Sequence, residues 1–444
     1  MTSNEKIRIP LFERLSYAAS LGGQNLMYTY VNFFIMIFYT DVLGILPAAA
    51  GVLFLVARIW DAVNDPMMGL IVDQTRSRWG KCRPYLLFMA LPIGLATSVL
   101  FFAPHLPPHG RLVYAWITYI IWGMVYTSGD IPLWTLSGRI SPVTEQRTRL
   151  ISWARVAGAI GTAVAVLLTV PLKDRLAGSA SRGYFGVALV FSLVGVLLIF
   201  QGGLITRERA GRADHERVKM LDSLKGILAN GPLMLVLLSY LIGVLPSLQG
   251  VTMIYFAKYN LHNEGLMMII AGINLAATAV GSGLVPWITR YIDGKKLVIL
   301  SGAMGAVLGI VMYFVGWGNI ALFYVFALIW GLLNGFPAVI RTTMIANTVE
   351  WMETKTGKRS DGAIFSTLTF IGKLTAGVGP FIASIVLTAT GYVANVEQTA
   401  LALNGIFITM TLLPGIGSLL MVIPLIFYRI DDQKHRELVG ELDR

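Results

Sequence analysis

Twelve apolar runs, each about as long as a membrane is thick, constrain this chain more than any other feature. They fall at roughly 16–40, 47–72, 84–103, 112–140, 150–172 and 183–206, then 232–261, 266–289, 297–317, 320–347, 363–392 and 400–428. A bilayer core needs about 20 apolar residues per helical span. Inside lipid only a helix or a closed barrel satisfies every backbone polar group, and runs of this length suit helices. Several exceed 25 residues, so tilt or extension beyond the bilayer is expected. Charged residues make up 13% of the 444, against about 25% in soluble domains. That deficit excludes a disordered chain, a coiled coil and a string of soluble domains. The expected fold class is an all-α membrane protein with 12 transmembrane helices. It divides into a six-helix bundle (1–206), a linker (207–231), a second six-helix bundle (232–428) and a tail (429–444).

Charge orients the spans. A net charge of +11 would suggest nucleic acid in a soluble protein; here basic loops account for it and no nucleic-acid partner is expected. If both termini share a side, that side carries 25 Lys and Arg and the other carries 4. The positive-inside rule then makes both termini cytoplasmic; the location expected of this multi-pass chain is a bacterial inner membrane. Met1–Pro10 is polar and lacks the apolar core of a signal peptide. The one cysteine, Cys82, offers no internal disulfide and no metal cluster. In the linker, Met220, Leu224 and Ile227 are spaced for an amphipathic helix on the membrane face, with a plain solvated loop as the other reading. The loops after spans 2 and 8 both place an acid (Asp73, Asp293), a glycine and several bases at a cytoplasmic turn. Such an acid can cap a helix end, and the match supports two related halves.

Ionisable groups deep in a bilayer cost at least about 2.5–3.5 kcal/mol each, so each needs a reason. The deep acids are Asp61, Asp65 and Asp130; the deep bases are Arg58, Arg155, Arg341 and Lys373. Asp61 and Asp65 share a helix face and repel each other, which a bound cation or a proton relieves. Asn64 and Thr127 add neutral oxygens suited to a hard cation. The structural alternative is that Arg58, three residues before Asp61, neutralises it, in which case Asp65 is expected to stay unpaired. Asp130 and Trp134 are also four apart. A carboxylate accepts sugar hydroxyls while an indole packs on the C–H face; alternatively Asp130 pairs with Arg155. The second half has no deep acid, so Lys373 is expected to serve the first-half aspartates or an anionic substrate, which places it at a cleft between halves. All five histidines lie in loops or the tail, against a histidine proton relay.

No GxxxxGK[ST], HExxH or paired Cys/His motif occurs, so neither an ATP-driven pump nor a metal hydrolase has support. Spread intramembrane charges in two halves favour a secondary transporter. A non-transporting receptor or scaffold is the alternative, and an intramembrane enzyme ranks third.

The stretch Phe54-Leu-Val-Ala-Arg58-Ile-Trp60-Asp61-Ala-Val-Asn64-Asp65-Pro66, followed by Thr75-Arg-Ser-Arg78-Trp79-Gly80-Lys81, resembles the glycoside–pentoside–hexuronide:cation symporters of the major facilitator superfamily. Tyr39-Thr40-Asp41, Trp122-Gly-Met-Val-Tyr126-Thr127 with Asp130-Ile-Pro132, and Gly391-Tyr-Val-Ala-Asn395 extend the resemblance over both halves. It implies the major facilitator fold, with two pseudo-symmetric bundles, and symport of a sugar or glycoside by alternating access. Asp61, Asn64, Asp65 and Thr127 match the family's cation site, with Asp61 and Asp65 as the ligands of Na+ if sodium is the coupling ion. Lys373 matches its cation-linked lysine, and Asp130, Trp134 and Arg155 match sugar-contacting positions. The family's best-known sodium-coupled member has a Lys-Asp pair in span 1 that holds galactosyl hydroxyls. This chain has Gln24-Asn25 there, with Tyr28 and Asn32 one and two turns further on, and it gains Arg341 in span 10. An acid lost and a base gained point from α-galactosides towards an anionic glycoside such as a uronide or a sulfonated sugar. The opposing reading pairs Arg341 with Glu350. The expected substrate-site residues are therefore Asn25, Tyr28, Asn32, Asp130, Trp134, Arg155, Arg341 and Lys373. Expected partners are the sugar, a coupling cation (Na+ ahead of H+) and the bilayer. A monomer with no other cofactor is expected.

Overall fold

Four prolines mark the places where apolar runs break into shorter helices. A computed structural model describes residues 9–141, 144–176, 178–209, 229–356, 361–430 and 434. Among them the structure is helical, without strands. The first unit holds α1 (Leu11–Ile37), α2 (Pro47–Gln74), α3 (Arg83–Phe88), α4 (Ala90–Leu100), α5 (Pro108–Ile140), α6 (Thr144–Leu176) and α7 (Ala180–Ile205). The second holds α8 (Gly231–Ile242), α9 (Val244–Tyr255), α10 (Leu266–Ile288), α11 (Gly294–Val315), α12 (Ile320–Thr356), α13 (Asp361–Ala389), α14 (Ala400–Met410), α15 (Leu412–Leu420) and α16 (Ile423–Ile426). Each of the twelve apolar runs is thus helical, and three of them are interrupted. The helices end at Phe88, Ile242, Met410 and Leu420, each four residues before a proline (Pro92, Pro246, Pro414, Pro424). A proline removes the hydrogen bond to that carbonyl and its ring crowds it. The orphaned carbonyl of Met410 is recovered by Gln249, whose Nε2 donates to it at 2.7 Å.

Nine helical segments among the described residues are long and apolar enough to cross a membrane. The run read as 320–347 continues as helix to Thr356. Ile345, Val349 and Met352 repeat at helical spacing and are buried in the second unit's core, so packing carries the helix past its apolar run. Outward apolar side chains such as Phe314, 81% exposed, face a surface that only lipid would solvate without penalty.

Internal contacts divide the chain into Met1–His215 and Glu216–Arg444. In the first unit α1 packs on α6 and α7. The approach is close enough that a Cβ on Gly161 would sit 2.2 Å from the Gly22 carbonyl oxygen, the small-residue contact favoured between membrane helices. In the second unit α10 and α12 meet likewise, with a Cβ on Gly281 falling 2.3 Å from the Leu332 oxygen. The two units also share a turn. Phe38–Val42 after α1 and Phe256–Asn260 after α9 are wide π-type turns. Each is closed by the same pair of bonds, Leu43 N–H to Phe38 O and Ile45 to Tyr39 in one, Leu261 to Phe256 and Asn263 to Ala257 in the other. This is a stronger internal repeat than the loops after spans 2 and 8.

Those loops differ. Asp293 caps α11, accepting from the N–H groups of Lys295 (2.9 Å) and Lys296 (3.3 Å). Asp73 does not cap: it lies in the last turn of α2, 3.7 Å from Arg139. The cap comes from the start of the linker instead. The Glu208 carboxylate accepts from the N–H groups of Lys81, Cys82 and Arg83 at 2.8–3.1 Å. Gly80, with φ +107°, leaves room for that carboxylate, since a Cβ there would meet it at 2.5 Å. Glu13, buried, holds the backbone of Arg207 (2.8 Å) and the guanidinium of Arg209 (2.6 Å). The first linker residues are therefore bound to the bundle rather than a free surface loop, because a buried carboxylate demands such donors. Met220, Leu224 and Ile227 lie outside the described residues.

Candidate functional site

Three helices of the first unit bring polar side chains to one place. On α2 the i, i+3 spacing sets Arg58 Nη1 2.8 Å from Asp61 Oδ2, with both side chains buried. Arg58 Nη2 also donates to Asn32 Oδ1 of α1 and to the Tyr119 hydroxyl of α5, each at 3.3 Å. One turn further along α2, Asp65 Oδ1 accepts from the Thr127 hydroxyl of α5 at 3.0 Å. The α5 backbone comes close to Asp61 at Gly123, where a Cβ would lie 3.3 Å from Oδ1. Asn64, between the two acids, has its side-chain nitrogen buried without a hydrogen-bond partner. Of the two sequence readings of Asp61, the ion pair with Arg58 is the one the geometry forms. Asp65 is not left alone, because a hydroxyl from α5 reaches it.

Asp61, Asp65 and Arg58 together carry a formal charge of −1. Asp61, Asp65, Asn64 and Thr127 supply hard oxygens only, the donor chemistry of a group I or II cation. A monovalent cation or a proton would bring the trio to neutrality.

A second group lies one turn along α5. Asp130, buried, accepts a hydrogen bond from Gln24 Nε2 of α1. Gln24 Oε1 in turn accepts from Asn25 Nδ2 at 3.0 Å. The expected alternative of an Asp130–Arg155 pair is not formed. The Arg155 guanidinium stands instead 5.8 Å from the centre of the Trp134 ring, on an exposed side chain. Tyr28 stacks on Tyr126 at 5.2 Å and lies 6.4 Å from Trp122, whose Nε1 is fixed by Thr97 at 3.0 Å. The rings of Tyr28, Trp122 and Tyr126 thus form one stacked aromatic group beside these side chains. Gln24, Tyr119 and Tyr126 belong to this constellation although none of them stood among the expected site residues. A glutamine in an apolar span was the available signal for Gln24.

The two second-unit candidates are placed differently. Arg341 does not pair with Glu350, nine residues and about 13 Å further along the helix. Its Nε and Nη1 donate to the carbonyls of Pro337 (3.3 Å) and Ser239 (3.1 Å), and its guanidinium stacks 4.2 Å over Tyr240. Lys373 is half-buried on α13. In the Gly391–Asn395 motif, Tyr392 donates to the Tyr259 hydroxyl at 3.0 Å, and Asn395 accepts from Lys258 at 2.9 Å. That motif ties a loop to the π-type turn.

Residues 16–432 match the family model described as MFS/sugar transport protein. The isoprimeverose transporter of Lactiplantibacillus pentosus is 32% identical over 436 residues, covering 96% of this chain and 90% of that protein. The glucuronide carrier protein homolog of Escherichia coli strain K12 is 29% identical, covering 96% and 94%. Among solved structures, a nucleoside transporter superposes with a TM-score of 0.68 at 13% identity, over 94% of this chain and all of that one. That identity speaks for the fold alone.

Proposed function

Since the chain belongs to the MFS/sugar transport family, and its relatives are transporters rather than enzymes, we propose that it is a cation-coupled symporter of a sugar or glycoside working by alternating access. The observation that carries the coupling is the cluster of Arg58, Asp61, Asp65 and Thr127 on α2 and α5, buried but for the half-exposed Asp65. Two carboxylates one turn apart on a membrane-spanning helix repel each other, and a cation or a proton between them relieves that repulsion. If that charge arrives with substrate and leaves with it, the ion gradient drives uptake. Sodium is favoured over a proton because the donor set is all oxygen and no histidine lies in a span. The sugar site is read at Asp130, Gln24, Asn25, Tyr28 and Trp134, where hydroxyl acceptors and donors border aromatic faces. Arg155 beside Trp134 adds a fork for a carboxylate or sulfonate.

The 25-to-4 distribution of bases supports both termini in the cytoplasm. The test is uptake of labelled sugars by inverted and right-side-out vesicles, with and without a sodium or a proton gradient. Accumulation of one sugar above its external concentration, driven by sodium, is expected. Binding without accumulation under either gradient would return the receptor reading.

A further inference from the structure

Within the second unit, two cavities follow one another along a single face of α8. The first, of 860 Å³, sits at the end where α8 begins and α12 and α16 finish. Its lining includes Lys355, Arg429 and Lys434 together with Trp351 and Phe427, and no acid or carboxamide among the described residues. The second, of 530 Å³, is lined by apolar side chains only, including Leu238, Ile242, Ile382 and Ile423. Register joins the two. Gly231 and Leu235 line the first, Leu238 and Ile242 the second. Spacings of four, three and four residues put all four on one helix face. Leu420 and Ile423 of the second cavity and Phe427 of the first repeat the pattern on the neighbouring segment.

The geometry points to a binding site for one anionic glycerophospholipid, with its phosphate headgroup among Lys355, Arg429 and Lys434 and an acyl chain along the Leu238–Ile242 groove. Three arguments select that occupant. From Gly231 to Ile242 the stripe runs about 16 Å, the depth of one leaflet of a hydrocarbon core roughly 30 Å thick. The charge lies at one end only, with aromatic residues beside it, as at a membrane interface. A sugar would need acceptors for its hydroxyls, and the described residues lining the first cavity offer three cations and no carboxylate. The inference is independent of the coupling cluster and does not require the transport reading to hold.

The full chain, purified in mild detergent and stripped of lipid, is titrated with phosphatidylglycerol, with phosphatidylcholine of the same acyl chains, and with inorganic phosphate. Native mass spectrometry counts the adducts. Phosphatidylglycerol is expected to bind, phosphatidylcholine to bind weakly, and millimolar phosphate to leave the lipid in place. The combined Lys355→Gln, Arg429→Gln, Lys434→Gln variant should lose affinity about tenfold or more. Leu238→Trp, which fills the groove and keeps every charge, should weaken phosphatidylglycerol as well. Equal binding of the two lipids, displacement by phosphate, or a triple variant that binds as wild type each overturns the proposal. Should the triple variant fail to fold, the competition on the wild-type chain decides alone.

Discussion

Asp61 and Asp65 sit one turn apart yet are held by different chemistry, a guanidinium in one case and a neutral hydroxyl in the other. A salt-bridged carboxylate is a poor site for a departing ion, because the cation must compete with a fixed charge. A hydroxyl-bonded one exchanges its ion more readily. Asp65→Asn is therefore expected to abolish accumulation against a gradient while sugar binding, measured by calorimetry, persists. Wild-type accumulation by that variant would remove Asp65 from the coupling role. Arg58 has the opposite character. Its removal leaves Asp61 buried beside Tyr119 and Asn32, which costs about 3–5 kcal/mol when a buried pair is broken. Arg58→Gln should lower the apparent melting temperature in detergent sharply, and adding Asp61→Asn should recover most of the loss. A double variant as unstable as the single one would contradict the pairing. The Arg58–Asp61 pair and the Asp65–Thr127 approach were legible from spacing and from motif. Gln24 on Asp130 was not, because it joins residues 106 positions apart and nothing local marks a glutamine as the partner of an acid.

At the scale of elements, the interruptions of three apolar runs follow from four prolines, and a reading by hydropathy alone passes over them. Packing, not hydropathy, extends α12 to Thr356. The Glu208 cap is a contact across more than 120 residues, so the loop's own acid, Asp73, was the natural candidate. The cap has a chemical consequence at Cys82. Burial, with the Glu208 carboxylate second, pushes the thiol from 9.0 up to about 12. A folded-state value above the unfolded one means that this group's contribution to stability is complete below about pH 9 and fades as pH rises towards 12. Cys82, the chain's one cysteine and fully buried, should react slowly with a maleimide at pH 7. Glu208→Ala, which strips three backbone N–H groups of their acceptor, should speed the labelling several-fold by loosening the turn. Labelling of the wild-type chain at the rate of a free thiol would show that the cap does not close this loop.

Across the whole molecule, the relatives are named for different cargoes: one is an isoprimeverose transporter, another a glucuronide carrier protein homolog. The residues decide which way this chain leans. Of the two arginines that pointed to an anion, Arg341 already spends its donors on the carbonyls of Ser239 and Pro337 and its face on Tyr240. Its role is to hold α8 against α12. Arg155 lies on an exposed stretch of α6 with its guanidinium over the Trp134 ring, and Asp130 is satisfied by Gln24 instead. A planar fork beside an aromatic face suits a sugar that carries a carboxylate, whereas a neutral sugar gains nothing from the charge. A glycoside uronide should therefore bind the purified protein more tightly than its neutral counterpart. Hydrogen bonds to a charged group contribute about 1.5–3 kcal/mol, so Arg155→Gln should cost the uronide roughly ten- to a hundredfold in Kd. The neutral glycoside should be little affected. Arg155→Lys should restore only part, because an ammonium cannot form the fork. Arg341→Gln should lower stability without changing the preference between the two ligands. If the neutral sugar binds equally well or better, and Arg155→Gln leaves the uronide unchanged, the cargo is neutral and Arg155 only steadies the tryptophan.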